Sequence, residues 1–280
     1  MSYYRILGLE KEPFSTSPDP EFFYQSKEHI SALYRLRIAL ELKRGLSVVL
    51  GDVGTGKTTL SRRLAQLLKA DTNLVMVMML NPIYESELQF LADLAERFHI
   101  TPERNISGEP KVLDYMKAMK KFLFEKGVEE GKTIVLLIDE AQKLTEPCLE
   151  ILRSLLNYET NEYKTLQLIL MGQMELLPRI SRIKNLWDRI SLKYVINPLE
   201  EDEVKELIHF RLKHAGYISR YPMFTDSAIN AIYNYTQGYP RKIAMLCHDA
   251  LEHLVMYKKE IANKEVINEL VQRELKPVSG

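Results

Sequence analysis

Residues 47–60 read SVVLGDVGTGKTTL, and this stretch limits the possible folds more than any other in the chain. Residues 47–50 form a short, β-branched apolar run of the kind that makes a buried strand. The run passes directly into Gly51-Asp52-Val53-Gly54-Thr55-Gly56-Lys57-Thr58 and then, from Thr59, into a segment of helical spacing to residue 68. A strand, the pattern G-x-x-x-x-G-K-[ST] and a helix, in that order, are a phosphate-binding loop in its required context. Three glycines let the backbone curl so that successive N–H groups, from Gly51 to Thr59, face phosphate oxygens. The helix behind them adds its unpaired amides and the positive end of its dipole. Lys57 is expected to reach the β- and γ-phosphates and the Thr58 hydroxyl to ligate Mg²⁺. Nucleotide binding follows.

Further strands alternate with helices. Residues 74–80 (LVMVMML) are a continuous apolar run suited to a strand covered on both faces. Helical spacing follows over 85–98 and 112–126, separated by a Pro/Gly-containing loop at 101–109. Lys117, Lys120, Lys121 and Lys126 read as a solvated face of the second helix, with a nucleic-acid patch as the alternative. Residues 133–138 (TIVLLI) are the next strand and run into Asp139-Glu140. An apolar strand ending in two acids, downstream of a phosphate loop, is the Walker B arrangement. There Asp139 would hold Mg²⁺ and Glu140 would orient and polarise the attacking water.

A helix over 148–158 leads to a fourth strand at 166–171, which ends in Gly172-Gln173. At that strand end, Gln173 would contact the γ-phosphate or the water. A helix over 176–186 carries Arg179 and Arg182, and Arg189 precedes a fifth strand at 191–196. An arginine here, near the domain edge, would reach a neighbouring subunit's nucleotide and stabilise charge on the transferring phosphoryl group. Arg189 is the first candidate for this finger and Arg182 the second.

After Asn197-Pro198 the strand-like runs stop. Residues 200–215, 225–236, 241–257 and 263–275 are all amphipathic helices, which sets a domain boundary between 1–197 and 198–280. Pro240 suits a first-turn position and brings Arg241 to a helix start. A cation there opposes the dipole, which suggests that it is kept for an anion, the nucleotide's phosphates. At the other end of the chain, Pro13, Pro18 and Pro20 give residues 1–24 an extended reading without helix. Some aromatic of this segment, Phe14 among them, is a candidate to cover adenine.

Charge narrows the partners: 38 basic and 38 acidic residues cancel, removing the simplest argument for nucleic-acid binding. The two cysteines, Cys148 and Cys247, lie in no metal or disulfide spacing and read as reduced thiols of a cytoplasmic protein. Charged residues interrupt 1–12, which argues against a signal peptide. Nowhere do 18 apolar residues run together, so no membrane span is expected.

With those residues in place, the chain resembles AAA+ ATPases, and more closely the ExeA/GspA-type ATPases associated with bacterial secretion systems. The resemblance is carried by PFSTSPDPEFFYQSKEHISAL, GDVGTGKTTL, LLIDEAQ, LILMGQMEL, the DRI before the fifth strand and GYPRKI. It implies an α/β fold, a P-loop NTPase AAA+ module with a five-stranded parallel sheet in the order 5-1-4-3-2, followed by an all-helical lid. It puts Gln173 at or beside sensor 1, Arg189 on the arginine finger and Arg241 on sensor 2. It implies ATP/ADP and Mg²⁺ as cofactors, a homo-oligomeric ring or filament with a shared active site, and a secretion or envelope partner. ExeA-type proteins commonly continue into a transmembrane helix and a periplasmic module, and no such segment is expected within these residues. The alternatives are a DNA-associated regulator, such as a transposition helper, and a nucleotide-gated scaffold with little turnover.

Overall fold

The computed structural model describes residues 2–17, 19–103 and 108–275. In chain order the elements are α1 (Tyr3–Ile6), α2 (Lys27–Glu41), β1 (Leu46–Gly51), α3 (Lys57–Leu68), β2 (Leu74–Met79), α4 (Glu87–Arg97) and α5 (Val112–Phe124). Next come β3 (Thr133–Ile138), α6 (Glu146–Leu155), β4 (Leu166–Gly172), α7 (Leu176–Arg182), α8 (Lys184–Trp187) and β5 (Ile190–Ile196). Helices then follow: α9 (Glu201–His214), α10 (Asp226–Thr236), α11 (Pro240–Met256) and α12 (Lys264–Leu275).

The chain divides into two compact units. One comprises Glu28–Val53 and Leu60–Ile196 and holds the sheet. Its strands lie in the order β2-β3-β4-β1-β5 and all pair in parallel, which is the expected order read from the other edge. β1 and β4 are buried along their whole length, and β3 at every residue after Thr133. That is why these strands read as unbroken apolar runs rather than alternating ones. Edge strand β5 alternates half-buried Ile190, Leu192 and Tyr194 with exposed Ser191, Lys193 and Val195. The sheet packs on its helices through aliphatic side chains: Val48, Leu136 and Leu168 share one core with Phe90, Leu94, Met119 and Leu152 of α4, α5 and α6.

The other unit comprises Met1–Lys27, Gly54–Thr59 and Asn197–Gly280. Its core joins Val204, Ile208, Ile232, Ile243, Leu251 and Ile267 of α9–α12 to Leu9, Phe14 and Phe22. The first 27 residues, assigned from sequence to the strand-bearing part, therefore share a core with the C-terminal helices.

Local differences have local causes. α1 forms within the segment expected to lack helix, because the first proline comes only at residue 13. The helix expected over 176–186 breaks at Ile183, whose ψ of 81° is not helical. α5 ends in a π-helical turn, Glu125–Glu129, in which the Glu130 amide donates to the Glu125 carbonyl at 2.9 Å. Pro18 and residues 104–107 of the expected 101–109 loop lie outside the described residues.

Candidate functional site

β1 ends at Gly51 and α3 begins at Lys57, so the expected phosphate loop is the turn between a buried strand and a helix N-terminus. Gly54 and Gly56 have φ of 87° and 96°, a left-handed backbone that a side chain would disfavour. Thr55 and Lys57 are buried. Within its own unit, Gly54 meets α11: the Arg241 amide donates to the Gly54 carbonyl at 3.3 Å. A Cβ on Gly54 would stand 3.1 Å from the Arg241 Cβ, so glycine suits this approach on both counts. Pro240 occupies the first turn of α11, as its fixed φ and missing N–H favour. Arg241 thus sits in the first turn of α11 with its side chain exposed.

The carboxyl end of β3 carries the acidic pair. Asp139 is buried, and its amide extends the β2–β3 pairing by donating to the Met79 carbonyl at 2.8 Å. Glu140 has a left-handed backbone, φ 54° and ψ 35°, and its amide donates to Asp139 Oδ1 at 2.9 Å. For a non-glycine residue this conformation costs about 1–3 kcal/mol, strain of the kind found at active sites. The Glu140 carboxylate has two local partners: Gln142 Nε2 donates to Oε2 at 2.9 Å and Lys143 Nζ lies 3.6 Å from the same oxygen. Lys143 also donates to Asn81 Oδ1, past the end of β2, at 2.9 Å.

In the sequence Gln142 stands only as the last residue of LLIDEAQ and is given no role there. It is 5% exposed, and its Oε1 accepts from the Gln173 amide at 3.1 Å. One side chain therefore links the acid after β3 to the end of β4. Arg179, in sequence only a helix residue, donates from its guanidinium to the carbonyls of Gln142 and Leu144 and so clamps the turn. The Asp139 carboxylate and the Thr58 hydroxyl, which belong to different units, are each a hard oxygen donor of the kind Mg²⁺ takes.

Arg189 lies elsewhere. It immediately precedes β5, at the amino end of a parallel sheet whose carboxyl ends carry Asp139 and Gln173. Its guanidinium donates to Asn157 Oδ1 and the Asn185 carbonyl, both at 2.5 Å, while Nε is buried without a hydrogen-bond partner. Burial, reinforced by the Arg189 charge, pulls the Lys164 pKa down. Arg182 is exposed at the end of α7. Phe14 packs edge-to-face on Phe224 at 6.1 Å and is 1% exposed, so its ring is closed to adenine. Among the described residues, no helix is long and apolar enough to cross a membrane.

Three comparisons bear on this geometry. The AAA domain family matches residues 41–180, the span from the end of α2 into α7. General secretion pathway protein A of Aeromonas hydrophila is 36% identical over 251 residues, covering 89% of this chain but 44% of that protein, so the chain spans under half its relative's length. In fold, Cdc6p from Pyrobaculum aerophilum superposes with a TM-score of 0.72 at 16% identity, over 95% of this chain and 72% of the other. Drosophila ORC bound to DNA gives 0.70 at 15% identity, over 99% and 67%. The strand order of the AAA+ module, the phosphate loop and the family match agree: the chain belongs to the AAA-domain family of P-loop ATPases and is similar within it to General secretion pathway protein A.

Proposed function

We propose that the chain binds ATP with Mg²⁺ and hydrolyses it in an active site shared between subunits of a homo-oligomer, to assemble or remodel a secretion or envelope complex in the cytoplasm. The observation that carries the chemistry is the acidic pair: a buried Asp139 followed by a Glu140 that its backbone and Gln142 hold in one orientation. Gly51, Asp52, Val53, Gly54, Thr55, Gly56 and Thr59 supply the loop that wraps the phosphates, with Lys57 neutralising the β- and γ-oxygens. Thr58 and Asp139 would hold a Mg²⁺, which would supply charge neutralisation on those same oxygens.

Glu140 orients a water in line with the γ-phosphorus and takes its proton. The water oxygen bonds to phosphorus, the bond to the bridging oxygen breaks, and ADP and phosphate leave. Gln173 senses the γ-phosphate from the end of β4. Arg241, in the first turn of α11, touches the nucleotide's phosphates. Arg189, remote from its own chain's acidic pair, is the finger for a neighbouring subunit's nucleotide; its position at the sheet's amino end supports a role in trans.

The secretion role rests on similarity to General secretion pathway protein A. A DNA-associated regulator is the second reading, prompted by the likeness to ORC bound to DNA. Measuring ATPase rate per subunit against protein concentration, with and without duplex DNA, separates them. A rate that climbs with concentration and ignores DNA supports the shared site and the secretion reading. A rate that stays flat until DNA is added favours the DNA reading, and that effect should fall steeply with salt. No turnover at any concentration leaves a nucleotide-gated scaffold.

A further inference from the structure

We infer that Gln142 is a positioning residue for hydrolysis: its buried amide orients the Glu140 carboxylate and ties it to the end of β4. The inference rests on the proposed role of Glu140 as the group that activates water. The direction of the amide is fixed by its partners. A backbone N–H can only donate, so the atom facing the Gln173 amide is Oε1, accepting at 3.1 Å. The Nε2 group then points at Glu140 Oε2, where it donates at 2.9 Å. One further contact and one open space keep the residue in place. Arg179 binds the Gln142 carbonyl, and the absence of a side chain on Gly172 leaves room for Oε1, which a Cβ would approach to 2.9 Å.

The arrangement does something that Lys143 does not. Lys143 is an exposed cation 3.6 Å from the same oxygen, beyond hydrogen-bond reach, so it sets charge but little direction. Gln142 is buried and doubly bonded, so it sets direction. It also makes the placement of Glu140 depend on the backbone at Gln173. A shift at the β4 terminus, where the γ-phosphate is sensed, would move the water-activating carboxylate through a single side chain. A near-attack geometry is sensitive at this scale, since displacement by about 1 Å can cost on the order of a hundredfold in rate.

Two variants separate positioning from packing. Gln142→Met keeps the volume and loses both hydrogen bonds. Gln142→Glu keeps an acceptor for the Gln173 amide but sets a carboxylate against Glu140. If Gln142 orients Glu140, both variants lower kcat by about tenfold to a hundredfold with nucleotide affinity unchanged. Turnover in Gln142→Glu equal to or above the unsubstituted protein overturns the inference and leaves Gln142 as packing alone. Raised turnover in Gln142→Met overturns it too, since the contact would then restrain Glu140. Glu140→Gln is the control: if it still turns over, the water-activation reading fails, whereas an inactive Glu140→Gln beside a normal Gln142→Glu refutes only the positioning role.

Discussion

Gly172→Ala tests the packing on which the acidic turn depends. Gly172 closes β4, and its φ is not in the left-handed region, so alanine can adopt the backbone and the cost is steric. The new Cβ would lie 2.9 Å from Gln142 Oε1 and 2.9 Å from Leu176 Cδ2, closer than real Cβ contacts come. Leu176 is fully buried at the start of α7 and belongs to the main core, so it has little room to retreat. If the core yields, overpacking costs about 1–3 kcal/mol. If Gln142 swings away, the Gln173 amide and the Glu140 carboxylate lose a partner, and an unsatisfied buried donor costs about 1–3 kcal/mol. Either way the expected loss is about 1–3 kcal/mol, with turnover falling in parallel. Trp187, the one tryptophan of the sequence, lies in the same unit as β4, so its fluorescence during urea unfolding reports on this unit. A change below about 0.5 kcal/mol with normal turnover would refute the packing argument.

Other expectations follow from charge and burial. His253 is buried in α11, and desolvation outweighs nearby Glu269 to depress its pKa, helped by Lys259 and Arg273. A histidine depressed in the folded state binds its proton more readily when unfolded, so its contribution is complete above the unfolded pKa of about 6.5 and fades as pH falls below it. Melting temperature should therefore drop less between pH 8 and pH 5.5 (about those values) in His253→Phe than in the unsubstituted protein; equal drops would remove His253 as the cause. Arg211, whose pKa burial lowers, donates from Nη1 to the carbonyls of Ser15 at 3.2 Å and Pro13 at 3.5 Å. Arg211→Ala should cost about 1.5–3 kcal/mol and speed amide hydrogen exchange over residues 14–17; unchanged exchange would show that the segment is held by its apolar residues alone. Arg189→Ala should leave nucleotide affinity intact and abolish the rise of turnover with concentration, and normal turnover would exclude it as the finger.

Much of this fold was legible because its signals are local. β3 runs over the residues its apolar pattern marks, and the change of texture after Asn197 coincides with the last strand's end. Residues 51–58 and Asp139-Glu140 stand out in the sequence because a G-x-x-x-x-G-K-[ST] run after a strand, and an apolar strand ending in two acids, are local patterns. What was not legible depends on long-range packing. The aromatics of residues 1–27 show that the segment must bury something, yet not that its partners are α9–α12. Phe14 looks the same in sequence whether it faces adenine or Phe224. Gln142 and Arg179 matter through contacts with Glu140, Gln173 and two backbone carbonyls, and no local pattern announces those. Strain at Glu140 is likewise a property of the folded backbone.

The central claim is that this chain hydrolyses ATP with Glu140 activating the water, and one comparison tests it most directly: Mg²⁺-dependent phosphate release and ATP affinity for the unsubstituted protein, Glu140→Gln and Lys57→Ala. The account predicts turnover in the first, retained ATP binding with turnover lowered at least about a hundredfold in Glu140→Gln, and loss of binding in Lys57→Ala. Turnover in Glu140→Gln at the unsubstituted rate, or undiminished ATP binding in Lys57→Ala, would contradict it.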